Sequence, residues 1–199
     1  KLFEDSKGRI WVGTENSGVN VYDKKTGKFH RIFNKPNDPS SLSGNAIRSI
    51  EEMPDGRMLV SSLDAGFNII RLKNDFFEKN SAPEITRLTL PNNTQVYGIG
   101  IDPQSNIWIG GMDKSVYRFN PLNNGFTALP GALFINNGYY AEDKSVIINS
   151  QYYLLTGDEV TPLFNPKKFP AGNLLFRPNK KLWVNYHREL QYYDVSWRE

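Results

Sequence analysis

Asp5-Ser6-Lys7-Gly8-Arg9-Ile10-Trp11-Val12-Gly13-Thr14, followed by Gly18-Val19-Asn20-Val21-Tyr22-Asp23, is the stretch whose reading decides the fold. A Lys-Gly turn leads into three consecutive apolar β-formers, a glycine closes the run, and a second β-rich run follows after a short polar turn. With Trp11 as the index, the pattern returns. A second copy, Asp55-Gly56-Arg57-Met58-Leu59-Val60-Ser61-Ser62 and then Gly66 to Leu72, lies 48 residues on and puts Leu59 at the Trp11 place and Ser61 at the Gly13 place. A third, Asp102-Pro103-Gln104-Ser105-Asn106-Ile107-Trp108-Ile109-Gly110-Gly111 and then Ser115 to Asn120, restores the tryptophan after a further 49. The fourth, Asp143 to Ser150, keeps only the apolar pattern around Ile147, and the fifth, Asn179 to Tyr186, centres on Trp183; their spacings are 39 and 36 residues.

Each unit reads as strands. Runs of Ile, Val, Trp, Tyr and Phe are bounded by Lys-Gly, Asp-Gly, Thr-Gly and Asn-Asn-Gly turns, and no long helical period competes with them. In the first unit the expected strands are 9–13, 19–23 and 28–33, with 46–52 opening the next. Four short antiparallel strands in a period of this length point to propeller blades. The consecutive apolar residues Ile10, Trp11 and Val12 predict strands covered on both faces, as in stacked blades, rather than a meander with one wet face. The expected fold is therefore all-β, a β-propeller fragment of about four to five four-stranded antiparallel blades. It forms a single partial propeller over 1–199, with blade cores near 5–33, 46–90, 95–129, 132–164 and 171–199, the last incomplete.

Composition narrows the class. The 199 residues are 39% hydrophobic and 13% aromatic, a globular balance, and 24 basic against 21 acidic residues leave a net charge of only +3. Paired lysines such as Lys24-Lys25 and Lys180-Lys181 read as solvated turns, so no nucleic acid is expected as a partner. With no cysteine there is neither a disulfide framework nor a thiolate metal site, which leaves the redox compartment open. No apolar run reaches the length of a membrane span, and no contact of this segment with a membrane is expected. The chain opens on Lys1, and its first residues read as the tail of a strand, as in an excerpt from a longer protein.

Between the units, Asn34 to Asn45 is a polar connection rich in Pro and Ser, suited to crossing from one blade's outer strand to the next blade's inner strand. Residues 73–94 form the longest irregular interval, where an insertion would lie, although 84–90 alternates well enough to be the outermost strand of the second blade.

The core Asp5 to Asp23, with Asn37-Asp38-Pro39-Ser40-Ser41-Leu42-Ser43 ahead of Asn45 to Ile50, resembles the two-component regulator propeller repeat. The resemblance is good over residues 1 to about 125 and weak beyond. It implies seven-bladed propellers in the periplasmic sensor region of membrane-anchored hybrid histidine kinases of Bacteroidetes, often tuned to glycan breakdown products. A parent anchored in the inner membrane, other domains of that sensor as partners, and a ligand-sensing role are what it implies here. Leu59, Ile147, Ser61 and Asn149 depart from the repeat's Trp and Gly, and about four and a half units do not close a seven-bladed ring. The Gly-His and Trp-Asp pairs of WD40 blades are missing, and Gly8 stands one residue too far from Asp5 for a sialidase Asp-box.

Few residues point to chemistry. Trp11, Leu59, Trp108, Ile147 and Trp183 share one repeat position and read as packing between blades, while Gly13 and Gly110 read as places of close backbone approach. His30 and His187, the two histidines, have no carboxylate at metal-ligand spacing, so no metal is expected. No nucleophile elbow, phosphate loop or calcium loop occurs, and neither a cofactor nor a catalytic residue is expected.

Topology gives a sharper expectation. In an up-and-down blade, the loop between its second and third strands lies at the same end as the crossing to the next blade. These loops carry Glu15 and Asn16, Asp64, Asp113 and Lys114, Gln151 and Tyr152, and Tyr186, His187 and Arg188. Ringed around one mouth, this mixture of carboxylates, amides and aromatic rings suits polyol hydrogen bonding and stacking, and an oligosaccharide is the expected ligand. Three functions follow: a non-catalytic sensor propeller, a protein-interaction scaffold, or a propeller glycosidase or polysaccharide lyase. An open fragment also exposes a blade face and strand edges, which predicts self-association.

Overall fold

In the computed structural model, residues 1–63, 65–101, 105–113 and 115–128 are described, together with the backbone of seven strands between 138 and 194. The strands group in chain order into antiparallel sheets whose spatial order is their sequence order. The first sheet is β1 (Leu2–Glu4), β2 (Ile10–Gly13), β3 (Val19–Asp23) and β4 (Lys28–Ile32). The second is β5 (Ile47–Glu52), β6 (Met58–Ser62), β7 (Gly66–Arg71) and β8 (Glu84–Leu88), with a single helical turn, α1 (Phe76–Lys79), between its last two strands. The third is β9 (Val96–Ile101), β10 (Ile107–Gly111), β11 (Val116–Asn120) and β12 (Gly125–Ala128). The fourth is β13 (Gly138–Tyr140), β14 (Val146–Ile148), β15 (Tyr153–Thr156) and β16 (Glu159–Pro162). The fifth has three strands, β17 (Asn173–Arg177), β18 (Lys181–Tyr186) and β19 (Glu189–Asp194).

All five index residues, Trp11, Leu59, Trp108, Ile147 and Trp183, fall on the second strand of their sheet. The chain divides into two compact units, residues 1–99 with 111–113 and residues 100–110 with 114–199.

In the first unit, β1 and β2 lie against β5 of the second sheet. The core there joins Trp11, Val19, Val21 and Ile32 to Ile50, Met58, Val60 and Ile70, with Leu42 of the connector added from above. Each such side chain contributes about 1.5–3 kcal/mol by leaving water, which is what holds two small sheets face to face. At Gly13 they come into close approach: a Cβ there would stand 2.6 Å from Ile47 Cγ2. Gly18 stands directly ahead of β3 at φ +73°, and a Cβ on it would run into the Ile32 carbonyl; Gly66, the corresponding residue of the second sheet, has φ +77° and faces the Leu88 carbonyl. These two positions need a residue without a Cβ for backbone and for steric reasons together.

Burial on both faces is reached in β6 and β10, where every residue is buried. It is not reached in β2, whose Ile10 and Val12 stay half-buried because they belong to the face of the first sheet turned away from the second. In the second unit, the first strands of the fourth and fifth sheets, β13 and β17, lie against each other as β1 and β5 do in the first.

The turn that opens the first unit is built on Asp5. Its buried carboxylate accepts Lys7 N (3.0 Å), Arg9 N (2.9 Å), Arg9 Nε (2.6 Å) and the indole Nε1 of Trp11 (2.7 Å). The second sheet keeps the backbone of this turn and changes its side-chain chemistry. Met53 N donates to Arg57 O and Gly56 N to Met53 O, as Asp5 N does to Arg9 O and Gly8 N to Asp5 O. Met53, not Asp55, is therefore the counterpart of Asp5. Asp55 corresponds to Lys7 and binds Arg57 in solvent instead.

Candidate functional site

The end of the first unit that carries the loops between second and third strands is tied down by hydrogen bonds. Thr14 Oγ1 donates to the Gly18 carbonyl at 2.8 Å and accepts Ser17 N at 2.9 Å, closing a tight turn with Glu15 and Asn16 exposed at its tip. Gly18 N donates to Asn45 O and Ile47 N to Thr14 O, so this loop is fastened to the crossing into the second sheet. Leu63 N, in the next such loop, donates to Ala46 O, placing both loops beside residues 45–47, as the topology requires.

The crossing itself is ordered by its polar side chains. Asn34 N donates to Asn45 Oδ1 (2.7 Å), and Asn34 Nδ2 to the Ser43 carbonyl (3.2 Å). Asp38 accepts both the hydroxyl and the N–H of Ser40, which hold its carboxyl below the usual Asp range. Polar side chains thereby take the place of a sheet ladder in satisfying this backbone.

Of the residues expected at the mouth, Glu15, Asn16 and Asp113 are exposed, Asp113 with its N–H directed to Thr94 Oγ1 at 3.3 Å. Tyr186 ends β18, paired in register with Glu189. Asp64, Lys114, Gln151, Tyr152, His187 and Arg188 lie outside the described residues. The structure adds two residues that a search for polar chemistry passes over: Leu63 and Met112, four places after Leu59 and Trp108, are 39% and 41% exposed at the loop tips. Large apolar side chains that exposed are available to stack on an apolar ligand face.

A second feature lies at the rim. A groove of about 270 Å³ runs between β4, the crossing and the segment after α1. His30 stands in it with its ring 4.9 Å from Phe76 and edge-on to Phe77 at 5.0 Å. The signal for it was the Asp75-Phe76-Phe77 insertion, but His30 is more than forty residues away and nothing in sequence joins them. Among the described residues, no group of His, Asp and Glu could hold a metal ion, and no helix is long and apolar enough to cross a membrane.

Four-stranded sheets in tandem, joined outer strand to inner strand, define the class, a β-propeller. Solved structures agree on that fold. Over 98% of this chain and 27% of the other, it is similar to the extracellular domain ascribed to the hybrid two component system BT3049 from B. thetaiotaomicron, with TM-score 0.74 and 17% identity. Over 96% and 26%, it is similar to the extracellular domain ascribed to the one component system BT4673 of the same organism, with TM-score 0.73 and 13% identity. Over 97% and 31%, it is similar to PorZ, a surface component of the type-IX secretion system of Porphyromonas gingivalis, with TM-score 0.68 and 15% identity. The chain thus spans about a quarter to a third of the length of these structures. Residues 1–16 match the two component regulator propeller family, so the repeat read from Asp5 to Thr14 is a repeat of that kind. No curated protein matches the chain in sequence.

Proposed function

We propose that this chain is a non-catalytic segment of the extracytoplasmic propeller of a two-component sensor, and that its mouth loops contact a carbohydrate. The match of residues 1–16 to the regulator propeller repeat carries the reading, and the likeness in fold to extracellular domains of such systems supports it. In this reading residues 1–199 belong to a single propeller, the location is periplasmic, and the parent is anchored in the inner membrane with its signalling domains elsewhere. Glu15, Asn16 and Asp113 supply acceptors and donors for hydroxyls, Leu63 and Met112 supply apolar contact, and the loops need little reordering to bind because the fastened crossing fixes their backbone.

Fold does not fix function, and a propeller interaction scaffold is the second reading, favoured by the exposed Leu63 and Met112 and by the role named for PorZ. A thermal-shift screen against host and plant oligosaccharides separates the two. A ligand that binds only the folded state raises the melting temperature, by an amount set by its concentration over Kd. The sensor reading expects a reproducible shift that Glu15→Ala or Tyr186→Ala reduces. A folded protein with no shift across the panel belongs to the scaffold reading, and a shift untouched by either substitution removes the mouth as the site.

A further inference from the structure

The second sheet grips the connector ahead of it with two side chains. Arg87 on β8 donates from Nε to the Ser41 carbonyl (2.8 Å) and from Nη2 to the Asp38 carbonyl (2.6 Å), the Leu42 carbonyl (2.9 Å) and Ser41 Oγ (2.9 Å). Asn68, its register partner on β7, accepts Ser43 N at 2.9 Å and donates to Ser43 Oγ at 3.0 Å. A planar guanidinium with its donors in a fixed fork suits a turn whose carbonyls converge, and an amide that gives and takes suits one serine backbone and hydroxyl.

The first sheet carries the same pair in the same two places. Asn20 stands nine residues after Trp11, as Asn68 does after Leu59, and the register partner of Asn20 on the outer strand is Arg31. The row Leu2, Val12, Asn20, Arg31 thus corresponds to the row Ile50, Val60, Asn68, Arg87. In the second sheet that face is buried under the first sheet and the connector. In the first sheet it is open, with Leu2 69% and Phe29 65% exposed and the Arg31 guanidinium resting over the Phe33 ring at 4.4 Å. The third sheet has Tyr117 and Ala128 at these two places, and the segment ahead of it, 89–95, contains no Asp-Pro-Ser-Ser-Leu-Ser turn. Where that turn is absent, so is the pair.

We propose that the open face of the first sheet receives one further four-stranded blade, and that Asn20 and Arg31 are the clasp for that blade's trailing turn, of the same chemistry as residues 38–43. The occupant is covalent. The turn held by Asn68 and Arg87 runs through Asn45 and Ala46 straight into β5, so a turn held by Asn20 and Arg31 runs straight into β1. A second copy of the chain has no such turn to spare, because its own is already held. Asn20 and Arg31 would thereby help to set which blade may precede this one.

The test copies residues 34–48 directly ahead of Lys1, which keeps the 48-residue offset between the two sheets and makes docking intramolecular. The extended chain is expected to melt about 2–4 °C higher than the original or more, with the gain abolished by Arg31→Ala or Asn20→Ala. The same substitutions in the original chain leave its midpoint unchanged. Arg87→Lys in the original chain, which keeps the charge but loses the fork, is expected to lower the midpoint. Absence of a gain, a gain that survives both alanines, a gain that grows with protein concentration, or an Arg87→Lys midpoint that does not move would each overturn the clasp.

Discussion

The first two sheets have the same backbone and almost opposite chemistry at the position that organises it. In the first, a buried carboxylate, Asp5, ties the turn to the indole of Trp11; in the second, Met53 and Leu59 fill the same two places and the turn closes through backbone bonds and the exposed carboxylate of Asp55 on Arg57. A buried carboxylate is tolerable only when its donors are present, and a buried indole N–H only when it has an acceptor. The two residues therefore change as a set. Gly13 and Ser61 make a parallel contrast. The glycine lets Ile47 approach, whereas Ser61 is fully buried and its hydroxyl has no hydrogen-bond partner among the described residues. The frame is constant, and the side chains that fill it are exchanged in matched groups.

Substitutions can break this comparison in order of size. Gly18→Ala and Gly66→Ala test what the sheets share. Each forces a side chain into the left-handed region and against a carbonyl, and each should cost about 3 kcal/mol or more in urea unfolding. A cost at one site but not at the other would deny a common frame.

Gly13→Ser and Ser61→Ala test where the sheets differ. The first overpacks the contact with Ile47 and should cost about 1–3 kcal/mol. The second removes a hydroxyl that is buried without a partner and should be neutral or stabilising by about 1 kcal/mol.

The smallest effect concerns Glu51 on β5. Burial pushes its carboxyl above the ordinary Glu value, against the pull of the Lys1 ammonium 3.7 Å away. A carboxylate with a raised folded-state pKa weakens the fold when ionised. That cost is full above the raised value, shrinks as pH falls through it, and is gone below the ordinary one. Glu51→Gln should thus stabilise slightly at pH 7, and the gain over wild type should vanish in acid. A gain independent of pH would assign it to packing.

Much of the frame was legible because it is periodic. The index residue lands on the second strand in every sheet, and the Pro- and Ser-rich stretch is the crossing it was read to be. What escaped is aperiodic or distant. The helical turn Phe76–Lys79 is too short to show a period. Arg87 finds its acceptors some 45 residues earlier in the chain. The tie from Asp5 to Trp11 was within reach, since a buried indole needs an acceptor and a carboxylate stood six residues upstream, but reading Trp11 as packing alone passed over it. For the mouth, topology fixed which end carries Glu15, Asn16 and Leu63 and could not fix what they contact, because the fold places no demand on an exposed loop tip.

The measurement that tests the exchange of matched sets most directly is a double-mutant cycle of Asp5→Met and Trp11→Leu, followed by urea unfolding. Asp5→Met strands the buried indole N–H of Trp11, and Trp11→Leu takes one of the four donors from the buried Asp5 carboxylate, whereas the pair recreates the chemistry of Met53 and Leu59. A favourable coupling of about 1–3 kcal/mol, with the double variant losing less than the sum of the singles, is the predicted result. Strict additivity would contradict it, because Asp5 and Trp11 would then stabilise the first sheet independently and the second sheet would not be a rewritten form of it.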